Sequence, residues 1–289
     1  SLFLGSEGCL GIIVSATMRI CPLPLKNEFD SIILPSFEAG LQFCRKMVQQ
    51  CNPLPTSVRL LDNGHFRLGQ ALRPETHFVP SDLAHAFRAL VIRSRADQRK
   101  AACVTVLYEG ASSIIKLQKR CIRMLATQFN GLMLGSKFGK QGYNLTYAIA
   151  YLRDFALSHG LLSNSIETFV SWSSVENVVR VVGDVVRCEH ESQALPGEPF
   201  VCCRATQLYH EGVCLYVYIA MYFPELSENA SRIFQKIEEK VKMKIITTGG
   251  SLSHHHGIGK QSDQLLQRMD SAAWLHAKSS IKKAMDMKN

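Results

Sequence analysis

Three consecutive histidines framed by glycines, in Gly249-Gly250-Ser251-Leu252-Ser253-His254-His255-His256-Gly257-Ile258-Gly259-Lys260, are the residues best suited to chemistry. Neutral imidazole accepts protons near physiological pH, and glycine lets backbone approach a ligand closely. The run reads as a proton-handling loop, with a plain solvent loop as the alternative. Zinc is a poorer reading, because adjacent histidines rarely converge on one ion and no carboxylate or thiol lies at ligand spacing nearby. No metal is expected. Tyr216 offers a phenol that could serve as a general base if a cationic neighbour lowered its pKa; otherwise it packs as most strand tyrosines do. Arg153 lies in an apolar helical stretch over 147–157, and Arg59 in the apolar strand Val58-Arg59-Leu60-Leu61. A buried guanidinium at either place must find an anion or a carboxylate.

The elements that must position these groups follow from periodicity. Strands are expected from a glycine-rich turn at 6–11 to Ile20, then at Ser31–Leu34, Ser57–Leu61 and Val104–Tyr108. Ser36 is a candidate N-cap for a helix carrying Phe37, Leu41, Cys44 and Val48, and Asp62-Asn63-Gly64 is a turn signature. Further helices are expected at 114–129, 175–186 and 227–248, with one more after the histidine loop. Residues 200–209 and 213–223 read as a hairpin whose second strand puts Tyr216, Tyr218 and Tyr222 on one face. This order suits an α+β fold, an antiparallel sheet with helices packed on one face.

A chain of 289 residues with 46% hydrophobic content can bury one large domain or two modest ones. Its formal charge of +9 favours anionic partners, such as an acidic membrane surface or a phosphorylated substrate. Nucleic acid is not expected, since the basic residues are scattered and no binding motif is present. The longest apolar run, about 213–223, is too short to span a bilayer as a helix. The 10 cysteines include no CxxC pair, which suits neither zinc nor a disulfide framework. Cys44, Cys121 and Cys214 sit in apolar runs as small hydrophobes, so a reducing compartment is expected.

Taken in order, several segments carry a resemblance. They are Gly5-Ser6-Glu7-Gly8-Cys9-Leu10-Gly11, Val58-Arg59-Leu60-Leu61-Asp62-Asn63, residues 145–154 ending in Tyr151-Leu152-Arg153-Asp154, and Glu167-Thr168 with Trp172. Cys203-Arg204-Ala205-Thr206-Gln207, Cys214-Leu215-Tyr216-Val217-Tyr218 and the histidine loop complete the set. Together they resemble the alkyldihydroxyacetonephosphate synthases, a branch of the vanillyl-alcohol-oxidase type of FAD enzymes. The resemblance implies that residues 1–25 end a PCMH-type FAD-binding domain. Residues 26–224 would form an antiparallel-sheet substrate (cap) domain with flanking helices, and 225–289 a helical C-terminal part with the histidine loop.

It further implies FAD as cofactor, contacted last by Glu7, Gly8, Cys9, Leu10, Gly11, Ile12 and Ile13. The reaction implied is ether-lipid synthesis, exchange of the acyl group of acyl-dihydroxyacetone phosphate for a long-chain fatty alcohol, through a flavin N5 adduct with no net redox. Tyr216 would give or take the proton of the exchanging oxygens. His254, His255 and His256 would assist proton removal at the substrate carbon, Arg153 would hold an anionic group, and Arg59 would support activity near the flavin. Peroxisomal residence, peripheral contact with a membrane surface and a homodimer go with the same resemblance.

Cys9 stands where the family usually has threonine, Gln141 lies in a stretch lacking the usual asparagine and arginine, and Phe169 replaces a small residue. The chain is expected to be a piece of a longer protein, binding FAD poorly alone and inactive by itself. Two alternatives stay open: an FAD-linked D-2-hydroxyacid dehydrogenase, whose Glu-His-Gly loop and cap-strand histidine motif are not matched, and a non-catalytic paralogue binding lipid precursors or a partner.

Overall fold

The computed structural model describes residues 3–72 and 99–285. One seven-stranded, wholly antiparallel sheet organises them, with strands β1 (Asn27–Leu34), β2 (Ser57–Leu61), β3 (Ala102–Glu109), β4 (Leu132–Met133), β5 (Leu161–Ser171), β6 (Phe200–Leu208) and β7 (Gly212–Tyr222). The strand order is β4-β1-β3-β2-β6-β7-β5. The hairpin expected around residue 210 is present as β6 and β7, with a bulge between Ala205 and Gln207.

Four helices bury one stripe each against one face of this sheet. Helix α1 (Phe37–Gln50) starts where the Ser36 hydroxyl accepts the Ala39 N–H at 3.2 Å, and it buries Leu41, Cys44, Met47 and Val48. Helix α3 (Ser112–Gln128), α5 (Val175–Ser192) and α6 (Glu228–Thr247) add Ile122, Val182 and Val241 to the same core. In α5 the valine stripe packs into this core, so burial outweighs the helix-disfavouring β-branching of Val178, Val182 and Val186. The histidine loop is followed by two helices, α7 (Gly259–Met269) and α8 (Ala272–Met285), where a single one was expected.

Helices lie on both sheet faces rather than one. Asp62-Asn63-Gly64 proves to be a helix start: Asp62 Oδ1 accepts the His65 N–H at 2.9 Å and caps α2 (Asn63–Ala71), whose Phe66 joins a second small core with Ile33, Ala101 and Cys103. Helix α4 (Ser136–Ser158) also packs on this second face, reaching β1, β3 and β5. It comes very close through glycines: a Cβ at Gly139 would lie 2.4 Å from the Asp30 carbonyl oxygen, and one at Gly142 2.8 Å from Thr105. Tyr143 then meets both Phe29 and the Arg59 guanidinium.

Two further expectations are corrected and one strand is added. The β-branched segment toward Ile20 forms no strand, and Ile12 and Ile20 are 89% and 88% exposed. A ladder needs a neighbour to accept its N–H groups, and among the described residues none lies beside this segment. Cys121 is joined to Cys51 in a disulfide, tying the end of α1 to α3, so it is not a free apolar thiol. Finally, β5 was not anticipated, because its polar Ser163, Asn164, Ser165 and Glu167 hide the alternation.

Candidate functional site

Register alone lines up the chemistry. Leu61 pairs with Arg204, Arg204 with Tyr216, and Tyr216 with Glu167, so one row crosses β2, β6, β7 and β5 on the face that also carries Arg59. The histidine loop closes onto the edge strand of this row. Gly250 bridges Val170, the Ser251 N–H donates to the Phe169 carbonyl at 2.9 Å, and the Thr168 hydroxyl donates to the Ser251 carbonyl at 2.7 Å.

Glu167 then fixes the three histidines through their backbones. Its Oε1 accepts the N–H groups of His254, His255 and His256, each at 2.7 Å, and the Ser253 hydroxyl at 2.6 Å. Burial opposes its ionisation, but these four donors outweigh that cost and hold the carboxyl down to about 2. A buried carboxylate thus plays the part that helix caps play elsewhere.

The imidazoles meet two phenols. Tyr216 Oη lies 2.7 Å from His255 Nε2 and 2.9 Å from His256 Nε2. The Nδ1 atoms of His254 and His255 lie 2.8 Å apart, and His254 Nε2 lies 3.0 Å from Tyr209 Oη. With neutral rings these contacts close into one chain: His256 Nε2–H to Tyr216, Tyr216 O–H to His255 Nε2, His255 Nδ1–H to His254 Nδ1, His254 Nε2–H to Tyr209. Reversing every donor gives a second consistent arrangement. A proton added at one end can therefore be released at the other, with all partners satisfied in both states.

Protonation levels suit this relay. Burial pushes the Tyr216 phenol up to about 12, aided by Cys214 and opposed by Arg204. The cationic neighbour that a phenolate base requires is present, with the Arg204 guanidinium 4.8 Å from the Tyr216 ring centre, yet desolvation outweighs it. Tyr216 is thus held as a proton donor. Partial enclosure lowers the pKa of His256 below 6.5, against the pull of Glu167, which keeps that ring neutral.

Beside Tyr216 opens a cavity of about 480 Å³ lined by Arg59, Arg204, Thr206, Gln207 and Tyr209 among others. The structure thus brings Tyr216, the three histidines and Arg59 to one region. Arg153 is exposed near the end of α4, where its charge acts on Glu238 of α6, and among the described residues it makes no hydrogen bond to Tyr216 or the histidines. Its apolar helix leaves Tyr151 and Phe155 at 77% and 65% exposure, so Arg153 needs no buried partner.

Of the N-terminal segment, Glu7 reaches back to the loop. Its carboxylate accepts the Gly259 N–H at 2.8 Å and also the Ile258 N–H, capping α7 where no side chain of its own does so. The turn around it has positive φ at Glu7, Gly8 and Gly11, with Cys9, Ile12 and Ile13 exposed and Leu10 partly so. Nothing lies within 4 Å of a Cβ placed at Gly8 or Gly11. This open backbone edge fits close approach by a flat cofactor such as a flavin, while Glu7 serves as a tie to α7.

Sequence reasoning missed Glu167, Arg204 and Tyr209 as site residues. Only their places in the row and beside the loop reveal them. Two groups bring metal-type donors within 4.8 Å of one another, Glu167, Cys214, His254 and His255 in the first and Asp62, His65 and Cys202 in the second. A carboxylate and a thiol do therefore lie near the histidines in space, though not in sequence. In the first group Glu167 Oε1 is already taken by four donors, and one N–H···N bond satisfies the facing Nδ1 atoms. In the second the ring stands between partners, with Nε2 toward Cys202 at 3.7 Å and Nδ1 toward Asp62 at 3.5 Å.

Comparison with known proteins follows the same line. Residues 25–289 match the family described as FAD linked oxidases, C-terminal domain. The alkyldihydroxyacetonephosphate synthase of Caenorhabditis elegans is 36% identical over 293 residues, covering 100% of this chain and 48% of that protein. The one from Dictyostelium discoideum is 27% identical, covering 100% and 46%. The chain thus spans about half the length of these curated relatives. Among solved structures, an alkyldihydroxyacetonephosphate synthase superposes with a TM-score of 0.77 at 23% identity, covering 99% of this chain and 47% of that one. A 4-ethylphenol oxidase from Gulosibacter chungangensis shares the fold with a TM-score of 0.60 at 10% identity, covering 93% of this chain and 53% of that one.

Proposed function

Since the chain belongs to the FAD-linked oxidases, through their C-terminal domain, we propose that it forms the substrate side of an alkyldihydroxyacetonephosphate synthase. The reaction is the exchange of the acyl group of acyl-dihydroxyacetone phosphate for a long-chain fatty alcohol, with release of a fatty acid and no net redox change. The observation that carries this reading is Tyr216, a protonated phenol held between His255 and His256 at the mouth of a cavity bearing two guanidinium groups. An exchange of one oxygen substituent for another needs a proton delivered to the leaving oxygen and another removed from the entering one. The Tyr216 relay can run in either direction, which meets both needs with one set of groups.

FAD is the cofactor of this family. Gly8 to Ile13 would lie along it, with Glu7 holding their turn against α7. When bound, it supplies the electrophilic ring atom that the substrate carbon requires. His256, neutral and hydrogen-bonded to Tyr216, would accept a proton from that carbon, and His255 would exchange one with Tyr216. Arg59, stacked on Tyr143 at 4.6 Å, supports the cavity wall. Arg153, exposed on α4, would hold an anionic group of substrate or product. Peroxisomal residence and contact with a membrane surface belong to the same reading.

The test is incorporation of labelled fatty alcohol into acyl-dihydroxyacetone phosphate by the full-length, FAD-bound protein. Reduction of a dye by D-lactate without such exchange would replace this reading with a hydroxyacid dehydrogenase.

A further inference from the structure

Arg204 is the one member of the site row whose charge has no counterpart. It is only 8% exposed, its Nε has no hydrogen-bond partner, and among the described residues no carboxylate stands within ion-pair distance. Its guanidinium lies 4.8 Å and 5.1 Å from the ring centres of Tyr216 and Tyr218, contacts that orient a cation without neutralising it. A buried guanidinium left so is costly unless an anion completes it. The cavity it lines, about 480 Å³, also receives Arg59, and Thr56, Thr206 and Gln207 make its wall polar, the Thr206 hydroxyl donating to Gln207 Oε1 at 3.2 Å. Two guanidiniums around one polar-walled space match a dianion with several acceptor oxygens better than a single carboxylate.

We propose that this cavity is a phosphomonoester subsite in which Arg204, with Arg59 beside it, holds the phosphate of the substrate next to Tyr216. The identity of that substrate rests on the ether-lipid reading above, whereas the preference for a phosphomonoester rests on the cavity. Such placement makes Arg204 a binding residue whose guanidinium also orients the Tyr216 ring. The phosphate thereby anchors the three-carbon unit one strand away from the relay.

The experiment compares full-length, FAD-bound wild type with Arg204→Gln and Arg204→Lys. Dihydroxyacetone phosphate, inorganic phosphate and dihydroxyacetone are each titrated calorimetrically, and bound FAD is measured by absorbance. The expected result is a preference of at least about 10-fold for the phosphorylated ketone over dihydroxyacetone in wild type, with inorganic phosphate competing. Arg204→Gln abolishes that preference, Arg204→Lys restores part of it, and FAD content and dihydroxyacetone binding stay unchanged. An unaltered preference in Arg204→Gln overturns the subsite and leaves the ether-lipid reading standing. Loss of FAD from both variants overturns it too, because the guanidinium then serves the cofactor. If inorganic phosphate binds wild type and is lost in Arg204→Gln while dihydroxyacetone phosphate does not bind, the subsite stands and the ether-lipid reading falls. Should Arg204→Gln fail to fold, Arg204→Lys and the wild-type competition decide, and no competition by inorganic phosphate overturns the proposal.

Discussion

Glu167 and Tyr216 face each other across the β5–β7 ladder and grip the same loop from two sides. The carboxylate takes the backbone N–H groups of His254, His255 and His256, while the phenol takes the rings of His255 and His256. Backbone and side chains of one tripeptide are thus positioned by adjacent strands of a rigid sheet, which is what a relay of short hydrogen bonds requires.

Glu167→Gln keeps an acceptor oxygen but removes the charge that strengthens four hydrogen bonds. Stability should drop by about 2 kcal/mol, read as a lowered Tm. Because the folded carboxyl titrates at about 2, below the ordinary 4.5, the wild-type advantage is complete above pH 4.5 and shrinks as pH falls toward 2. Equal Tm values for the two proteins at pH 7 would show that the loop is held by other means.

Tyr216→Phe removes the central donor of the relay while leaving the ring in place. In the full-length, FAD-bound protein the proposed alkyl exchange should fall about 10²- to 10⁴-fold with FAD content unchanged, which stopped-assay turnover and flavin absorbance measure together. Tyr209→Phe removes only the far end of the chain, 3.0 Å from His254, and should slow exchange by a smaller factor. An unchanged rate in Tyr209→Phe would argue that Tyr209 acts only by packing on Phe169, 5.9 Å away between ring centres.

His256 must be neutral to accept a proton, and its pKa in the fold lies below 6.5. Both its contribution to stability and the rate of exchange should hold above pH 6.5 and decline as pH falls through the lowered value. Glu167 raises that pKa, so the acid limb of the rate profile should move to still lower pH in Glu167→Gln. A limb centred above 6.5 in wild type would contradict the neutral ring.

The Cys51–Cys121 bond closes a loop across a sequence separation of 70. Reduction with a thiol, or Cys121→Ser, should cost about 2–4 kcal/mol, seen as a lowered denaturant midpoint in the reduced protein. An unchanged midpoint would mean that packing of α1 on α3 already supplies the constraint.

Much of the frame was legible in the residues themselves. Ser36 announced a helix, and the tyrosines of β7 revealed a face by alternation. What escaped was two-dimensional. The partnership of Leu61, Arg204, Tyr216 and Glu167 depends on strand order and register, and β5 carries too many polar residues to declare itself as a strand. The surroundings of Arg153 were hidden for a related reason: its helix is apolar in composition, yet Tyr151 and Phe155 of α4 are exposed, so burial could not be read from composition. Residues 6–20 have the composition of a strand, but composition cannot supply a neighbour to pair with.

The bond from Glu7 to Gly259 spans 252 positions of sequence. Closing so long a circuit is entropically slow, so this clasp should be among the last contacts made as the molecule folds. During synthesis the pocket would then stay unlatched until α7 leaves the ribosome, by which time the sheet has set, and a mistake anywhere in the fold would be felt first as a loose clasp over the relay.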